Sequence, residues 1–188
     1  MIPTPARSFT LVETLVAIAI VSIAMVGPFQ AVQNALSLSY IARDQIIATN
    51  LAQEGIEYVR SIRDANYLYK LQNTSSSRTW LYGIDGTDSS GGGGGGTNCV
   101  SSNGCVVDPT QGTISVCPSG TCAPLNLSST HLYNQSSVSS TNIATPFVRK
   151  VTLTTVTGYQ TTVNVTVTWK TLGKTYTVNV NENIYNWL

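Results

Sequence analysis

From Phe9 to Phe29 the chain reads FTLVETLVAIAIVSIAMVGPF, an apolar run carrying one charged side chain, Glu13. At about 1.5 Å per residue, such a run crosses a hydrocarbon core about 30 Å thick. A carboxylate at that depth costs about 2.5–3.5 kcal/mol on insertion scales, so it calls for a partner and points to a role. A chain of 188 residues that commits this stretch to a membrane has room for one modest domain besides. A secretory signal peptide requires an uncharged core and a small-residue cleavage site after it. Glu13 breaks the first condition, and Met25-Val26-Gly27-Pro28 lacks an A-x-A to meet the second. A plain anchor accounts for the length of the run and leaves Glu13 without a reason. The short segment before the run, Met1 to Ser8, carries Arg7, so the positive-inside rule holds the N-terminus in the cytoplasm and sends the rest outside.

The segment Arg7-Ser8-Phe9-Thr10-Leu11-Val12-Glu13 resembles the N-terminus of a type IV prepilin or pseudopilin. In that family a short basic leader is cut just before a Phe, and a Glu follows at the fifth mature position. The resemblance places the cut between Ser8 and Phe9 and the acidic residue at Glu13. Ser8 departs from the family, whose residue before the cut is usually Gly. The resemblance further implies that a prepilin peptidase removes the leader and N-methylates Phe9. Cleavage frees an α-amine whose ordinary pKa of about 7.7–8 leaves it largely cationic at neutral pH. In such assemblies Glu13 of an incoming subunit meets the amine of its neighbour, which offsets the desolvation cost in lipid and fixes the axial register. The implied partners are the peptidase, other pilin or pseudopilin subunits, the assembly platform with its ATPase, and membrane lipid.

Past the apolar run, Gly27-Pro28 predicts a kink or local melting, because Pro removes an i→i−4 hydrogen bond and clashes with the preceding turn. Ile41, Ala48, Leu51, Ala52, Gly55, Val59 and Ile62 then recur at helical spacing and form one stripe. Arg43, Glu54, Glu57, Arg60 and Asp64 lie off it, with Glu57–Arg60 and Arg60–Asp64 spaced for local pairing. One nearly continuous helix from Phe9 to Asp64 follows, the shape of a pilin's long first helix. The fragment from Ala52 to Arg60 also resembles that part of PilV-like minor pilins and I-type pseudopilins. Near the other end, Val163, Val165, Val167 and Trp169 alternate with Thr and Asn, and Tyr176, Val178 and Val180 repeat the pattern. A rougher strand from Phe147 to Val156 precedes them, and Thr157-Gly158 and Leu172-Gly173 supply turns. The apolar face of this meander and the stripe on the helix bury each other. The expected fold class is α+β and pilin-like: a long N-terminal helix, transmembrane in its first half, packed on an antiparallel sheet of three or four strands.

Between Ala65 and Thr145 regularity fails. Cys99, Cys105, Cys117 and Cys122 all fall in this Gly/Ser-rich region, and an even count outside the membrane run fits disulfides in an oxidising compartment. The spacings C-x5-C and C-x4-C lack the tighter C-x2-C of structural zinc sites. Asn103-Gly104 and Ser119-Gly120 are turn dipeptides inside each local pair, which favours Cys99–Cys105 and Cys117–Cys122. The alternative is a nested pairing with Cys105 and Cys117 facing each other across a hairpin. The unbroken run Gly91–Gly96 reads as a flexible loop, since no Gly-Lys-Ser/Thr ending makes it a phosphate cradle. Tyr67, Tyr69, Trp80 and Tyr82 flank this region either as a binding surface or, more commonly for such rings, as tacks holding a loop to the core. Asp85 and Asp88, without a bidentate Glu nearby, make a weak calcium site, so no metal is assigned.

Charged residues make up only 10% of the chain, against about 25% in soluble domains, and the net charge is +1. Arg149-Lys150 is the only adjacent basic pair, so the sequence does not support nucleic-acid binding. His131 is the only histidine, and no Ser/His/Asp group, paired-carboxylate site or HExxH appears. No catalytic residue and no cofactor is assigned; the chain reads as the substrate of a peptidase. The expected organisation is a leader (1–8), a membrane half-helix (9–29), an amphipathic half-helix (30–64), a variable loop region (65–145) and a β-meander (146–188). The function expected from residues and resemblance is that of a minor type IV pilin-like subunit. It would be rooted in the inner membrane with a periplasmic or extracellular head and assembled into a pilus for adhesion, motility or DNA uptake. Two alternatives are a pseudopilin of a type II secretion system and a single-pass extracellular binding module that never polymerises.

Overall fold

The computed structural model describes residues 10–87, 98–154 and 157–187. The chain divides between Ala42 and Arg43 into two compact units. Helix α1, Leu11–Gln72, begins in the first unit and ends in the second. Thr10 opens it as an N-cap, its hydroxyl accepting from the Glu13 amide at 3.3 Å. The helix is unbroken through Gly27 and Pro28, so the local melting expected there is absent from this structure. It also continues past Asp64 to Gln72, and the Asn73 amide donates to the Tyr69 carbonyl at 2.9 Å.

Among the described residues of the second unit, seven strands form one antiparallel sheet: β1 (Cys105–Asp108), β2 (Thr113–Val116), β3 (Pro124–Ser128), β4 (Tyr133–Asn134), β5 (Asn142–Thr154), β6 (Gln160–Thr171) and β7 (Lys174–Tyr185). The α+β, pilin-like layout is as expected. The sheet is larger than three or four strands because β1 to β4 arise from the stretch that read as irregular. β6 pairs with β5 on one side and β7 on the other; the second edge of β5 carries β3 and β1 end to end. At the tight β6–β7 turn both Leu172 and Gly173 have positive φ, 52° and 79°, matching the right-handed twist of the flanking strands.

Alternation decides the faces. Phe147, Arg149, Val151 and Leu153 of β5 and Val163, Val165, Val167 and Trp169 of β6 are all buried, together with Ala48, Leu51, Ala52, Ile56 and Val59 of α1. Gly55 lets the helix come close: a Cβ there would meet Val165 Cγ1 at 3.2 Å. The opposite face of the sheet is polar, with Thr162, Asn164, Thr166 and Thr168 of β6 in register with Asn183, Asn181, Asn179 and Thr177 of β7.

Polar side chains pin the helix at both ends of its contact with the sheet. Thr171 donates to Asp44 Oδ2 at 2.5 Å, and Arg60 pairs with Glu182 of β7. The Arg60–Asp64 pairing expected from spacing does not form: Arg60 takes Glu57 and Glu182, and Asp64 takes Arg63 at 2.8 Å. The strong bond to Glu182 raises the Arg60 guanidinium above its ordinary range.

Candidate assembly helix and head surface

In the first unit every residue from Thr10 to Leu36 is exposed, apolar ones included; Leu11 is 74% and Ile23 is 76% accessible. So much bare hydrocarbon surface needs lipid or other helices around it. The helix is long and apolar enough to cross a membrane. Its polar side chains are mostly self-satisfied: Thr14 donates to the Leu11 carbonyl and Ser22 to the Ile18 carbonyl, each at 2.8 Å. Glu13 is different. It is the sole charge between Thr10 and Ala42, it lies in the first turn of α1, and its carboxylate has no partner among the described residues. A carboxylate in a helix's first turn is favoured by the N-terminal dipole in water, but in lipid it still needs a proton or a cation. Ser8 and Phe9, the expected cleavage and methylation positions, lie outside the described residues, as do Asp88, the Gly91–Gly96 run and Val156. Gly27 and Pro28 are helical and exposed, on the same bare surface as Met25 and Phe29.

In the second unit the structure pairs Cys99 with Cys105 and Cys117 with Cys122, and no free cysteine remains. The first bridge sits in the main core, where the Leu153 amide donates to the Cys99 carbonyl at 2.8 Å. The second belongs to a small separate cluster with Val106. Beneath the β1–β2 hairpin, buried Asp108 accepts from the Thr110 amide and hydroxyl and from the Gln135 amide, which ties that hairpin to β4.

The four rings flagged in the sequence separate into two pairs. Tyr69 and Tyr82 stack on Arg78, with its guanidinium carbon 3.8 and 4.5 Å from the ring centres, so they tack the 78–82 turn to the end of α1. Tyr67 and Trp80 instead line a depression of about 310 Å³ with Arg63, Asp64, Asn186 and Trp187. Asn66, buried on α1, holds the turn beneath it by donating to the Tyr82 carbonyl at 2.9 Å. Asp85 is fully engaged, Thr79 donating to one oxygen and the amide and hydroxyl of Thr87 to the other. Several buried polar residues escaped the sequence reading, Asp44, Asn66 and Arg149 among them. Their signal was present, since Asp44 and Asn66 continue the helical stripe and Arg149 shares the parity of Val151 and Leu153.

Residues 4–27 match the family model of the prokaryotic N-terminal methylation motif. No curated protein and no solved structure matches the chain. The motif marks a type IV prepilin-like protein, and the long apolar helix of the first unit fits that family. It implies processing by a prepilin peptidase and assembly with other pilins, from a membrane-anchored start.

Proposed function

We propose that this type IV prepilin-like chain is a minor pilin subunit, cut between Ser8 and Phe9, N-methylated on Phe9 and assembled through the first part of α1. Glu13 carries the reading. A lone carboxylate on an otherwise bare apolar helix is costly in lipid unless it meets a cation, and a freed amine on Phe9 of a neighbouring subunit is the cation that processing creates. The pair cannot form before the leader is removed, so cleavage licenses assembly. Gly27-Pro28 is helical in the single subunit and is where the helix loosens when subunits pack, since Pro28 already lacks one hydrogen-bond donor. The resemblance at Ala52–Arg60 favours a minor pilin over a major one, with the second unit displayed as a head outside the inner membrane.

The test is the intact mass and N-terminal sequence of the chain purified from its native membrane. A chain beginning at methylated Phe9 supports the reading and makes Ser8 an acceptable residue before the cut. A chain beginning at Met1, where prepilin peptidase is active, overturns it and leaves an anchored binding module. Loss of pili in a strain lacking this chain, with protein secretion intact, separates a pilus subunit from a secretion pseudopilin.

A further inference from the structure

Trp187 is 76% exposed, although it is large and apolar. It stands over the depression that Tyr67 and Trp80 line. A second depression of about 520 Å³ adjoins the first and shares Trp80 and Asn186 with it; Lys70, Arg78, Asp85 and Thr157 add to its walls. We infer that these two depressions form one groove that binds an acidic saccharide, its sugar faces on Trp187 and Trp80 and its carboxylate toward Lys70.

The chemistry of the walls selects that ligand. Flat rings separated by planar hydrogen-bonding groups suit sugars, which present C–H faces to π-systems and hydroxyls to amides and carboxylates. Asp64 and Asn186 supply those groups beside Trp187, and the Asn186 carboxamide is held by donating to the Gly158 carbonyl at 2.9 Å. The turn that carries Trp80 is held before any ligand arrives, Asn66 also donating to the Trp80 carbonyl at 3.4 Å. Asn66 clamps the carbonyl of Tyr82, and Arg78, stacked on Tyr69 and Tyr82, locks the rest of the turn. A pre-formed site avoids the ordering cost of binding.

The charge is also informative. Arg63 is paired with Asp64, and both oxygens of Asp85 are occupied by Thr79 and Thr87. Lys70 and Arg78 line the larger depression, and among the described residues neither has a salt bridge. That leaves a modest positive bias, enough for one carboxylate. A single-stranded nucleic acid would also stack on the rings, but it needs a cationic track along its backbone, and here Asp64 and Asp85 interrupt the cations.

The groove and the assembly reading fail independently, because binding is measured on the purified full chain in detergent, whatever the state of its leader. Calorimetric titration with tetragalacturonate, cellotetraose and oligo-deoxythymidine is the experiment. Tetragalacturonate binding best is the expected result. Trp187→Ala and Tyr67→Ala, at exposed positions, each weaken it about tenfold with an unchanged circular dichroism spectrum. Lys70→Gln weakens tetragalacturonate about fivefold and leaves cellotetraose unchanged. Equal affinity for the acidic and neutral sugars, tighter binding of the oligonucleotide, no binding of either sugar at millimolar concentration, or insensitivity to Trp187→Ala would each overturn the inference.

Discussion

The guanidinium of Arg149, wholly buried on β5, donates to Glu54 Oε2 of α1 at 2.5 Å. The same group donates to the Leu51 carbonyl at 3.0 Å and the Val107 carbonyl at 2.7 Å, so one side chain joins helix, central strand and the β1–β2 hairpin. Its Nε finds no partner among the described residues, and Glu54 is 38% exposed, so the charge is incompletely compensated. Arg149→Ala leaves a cavity and takes the donor from the Val107 carbonyl and the partner from Glu54, and is expected to cost about 3–5 kcal/mol. Arg149→Met, which refills the volume without a buried charge, costs much less. Urea titration of the two variants checks this ordering, and a Met variant as unstable as the Ala one contradicts it.

Leu172 holds φ at 52° in the two-residue turn between β6 and β7 and is 63% exposed, so its side chain adds little packing to offset the left-handed strain. An L-residue other than Gly, Asn or Asp costs about 1–2 kcal/mol there. Leu172→Asn creates the Asn-Gly pair preferred in this turn and is expected to stabilise the second unit by about 1 kcal/mol. The measured change is a rise in the urea midpoint at constant m-value.

The two disulfides close short loops of similar length, so chain entropy alone gives each about 2 kcal/mol. Their surroundings differ. All four cysteines are buried, but Cys99 and Cys105, 1% and 0% exposed, lie in the main core, whereas Cys117 and Cys122, 1% and 7% exposed, lie in the small cluster. Both double Ser variants bury new hydroxyls, but that of the first pair does so within the main core and is expected to lose about 1 kcal/mol more than that of the second. Peptide mapping under non-reducing conditions should recover Cys99–Cys105 and Cys117–Cys122; a Cys105–Cys117 fragment would restore the nested pairing.

Alkaline pH should weaken the second unit. Burial, and then the negative charge of Asp108, raises the Tyr58 phenol above its ordinary 10.0, and burial raises Tyr133 in the same direction. The folded state therefore keeps protons that the unfolded chain has released. Stability from these groups is complete below about pH 10 and falls as pH rises beyond it. Urea midpoints at pH 8 and 11 measure the fall, and Tyr58→Phe should reduce it.

Period-two alternation made β5 to β7 legible, because a half-buried strand needs nothing but its faces to declare itself. Strands of four residues such as Cys105–Asp108 offer too few repeats, and all four of its residues are buried, so it carries no alternation. Asp44 and Asn66 lie on the buried stripe by spacing, but their polarity alone reads as solvent-facing; Asp44 is buried against Thr171 and Arg43, and Asn66 against the Trp80 and Tyr82 carbonyls. Glu13 was legible from local chemistry alone. The division of the aromatics was not, since it depends on where the 78–82 turn and Trp187 meet in space.

Glu13 has a purely local explanation that competes with assembly. Thr10-Leu11-Val12-Glu13 has the form of a capping box, and the Glu13 amide does donate to the Thr10 hydroxyl at 3.3 Å. In that account Glu13 only starts the helix, and its charge is incidental. The two roles separate on substitution. Glutamine serves a capping box as well as glutamate does, so Glu13→Gln preserves the start of α1 while removing the charge that would meet a neighbour's amine. Thr10→Ala does the reverse: it costs about 1 kcal/mol of capping and leaves the charge in place. If assembly depends on the charge, Glu13→Gln inserts into the membrane normally, is still processed, and is missing from sheared filaments, whereas Thr10→Ala is incorporated. Incorporation of the Glu13→Gln variant at wild-type levels would reduce Glu13 to a capping residue.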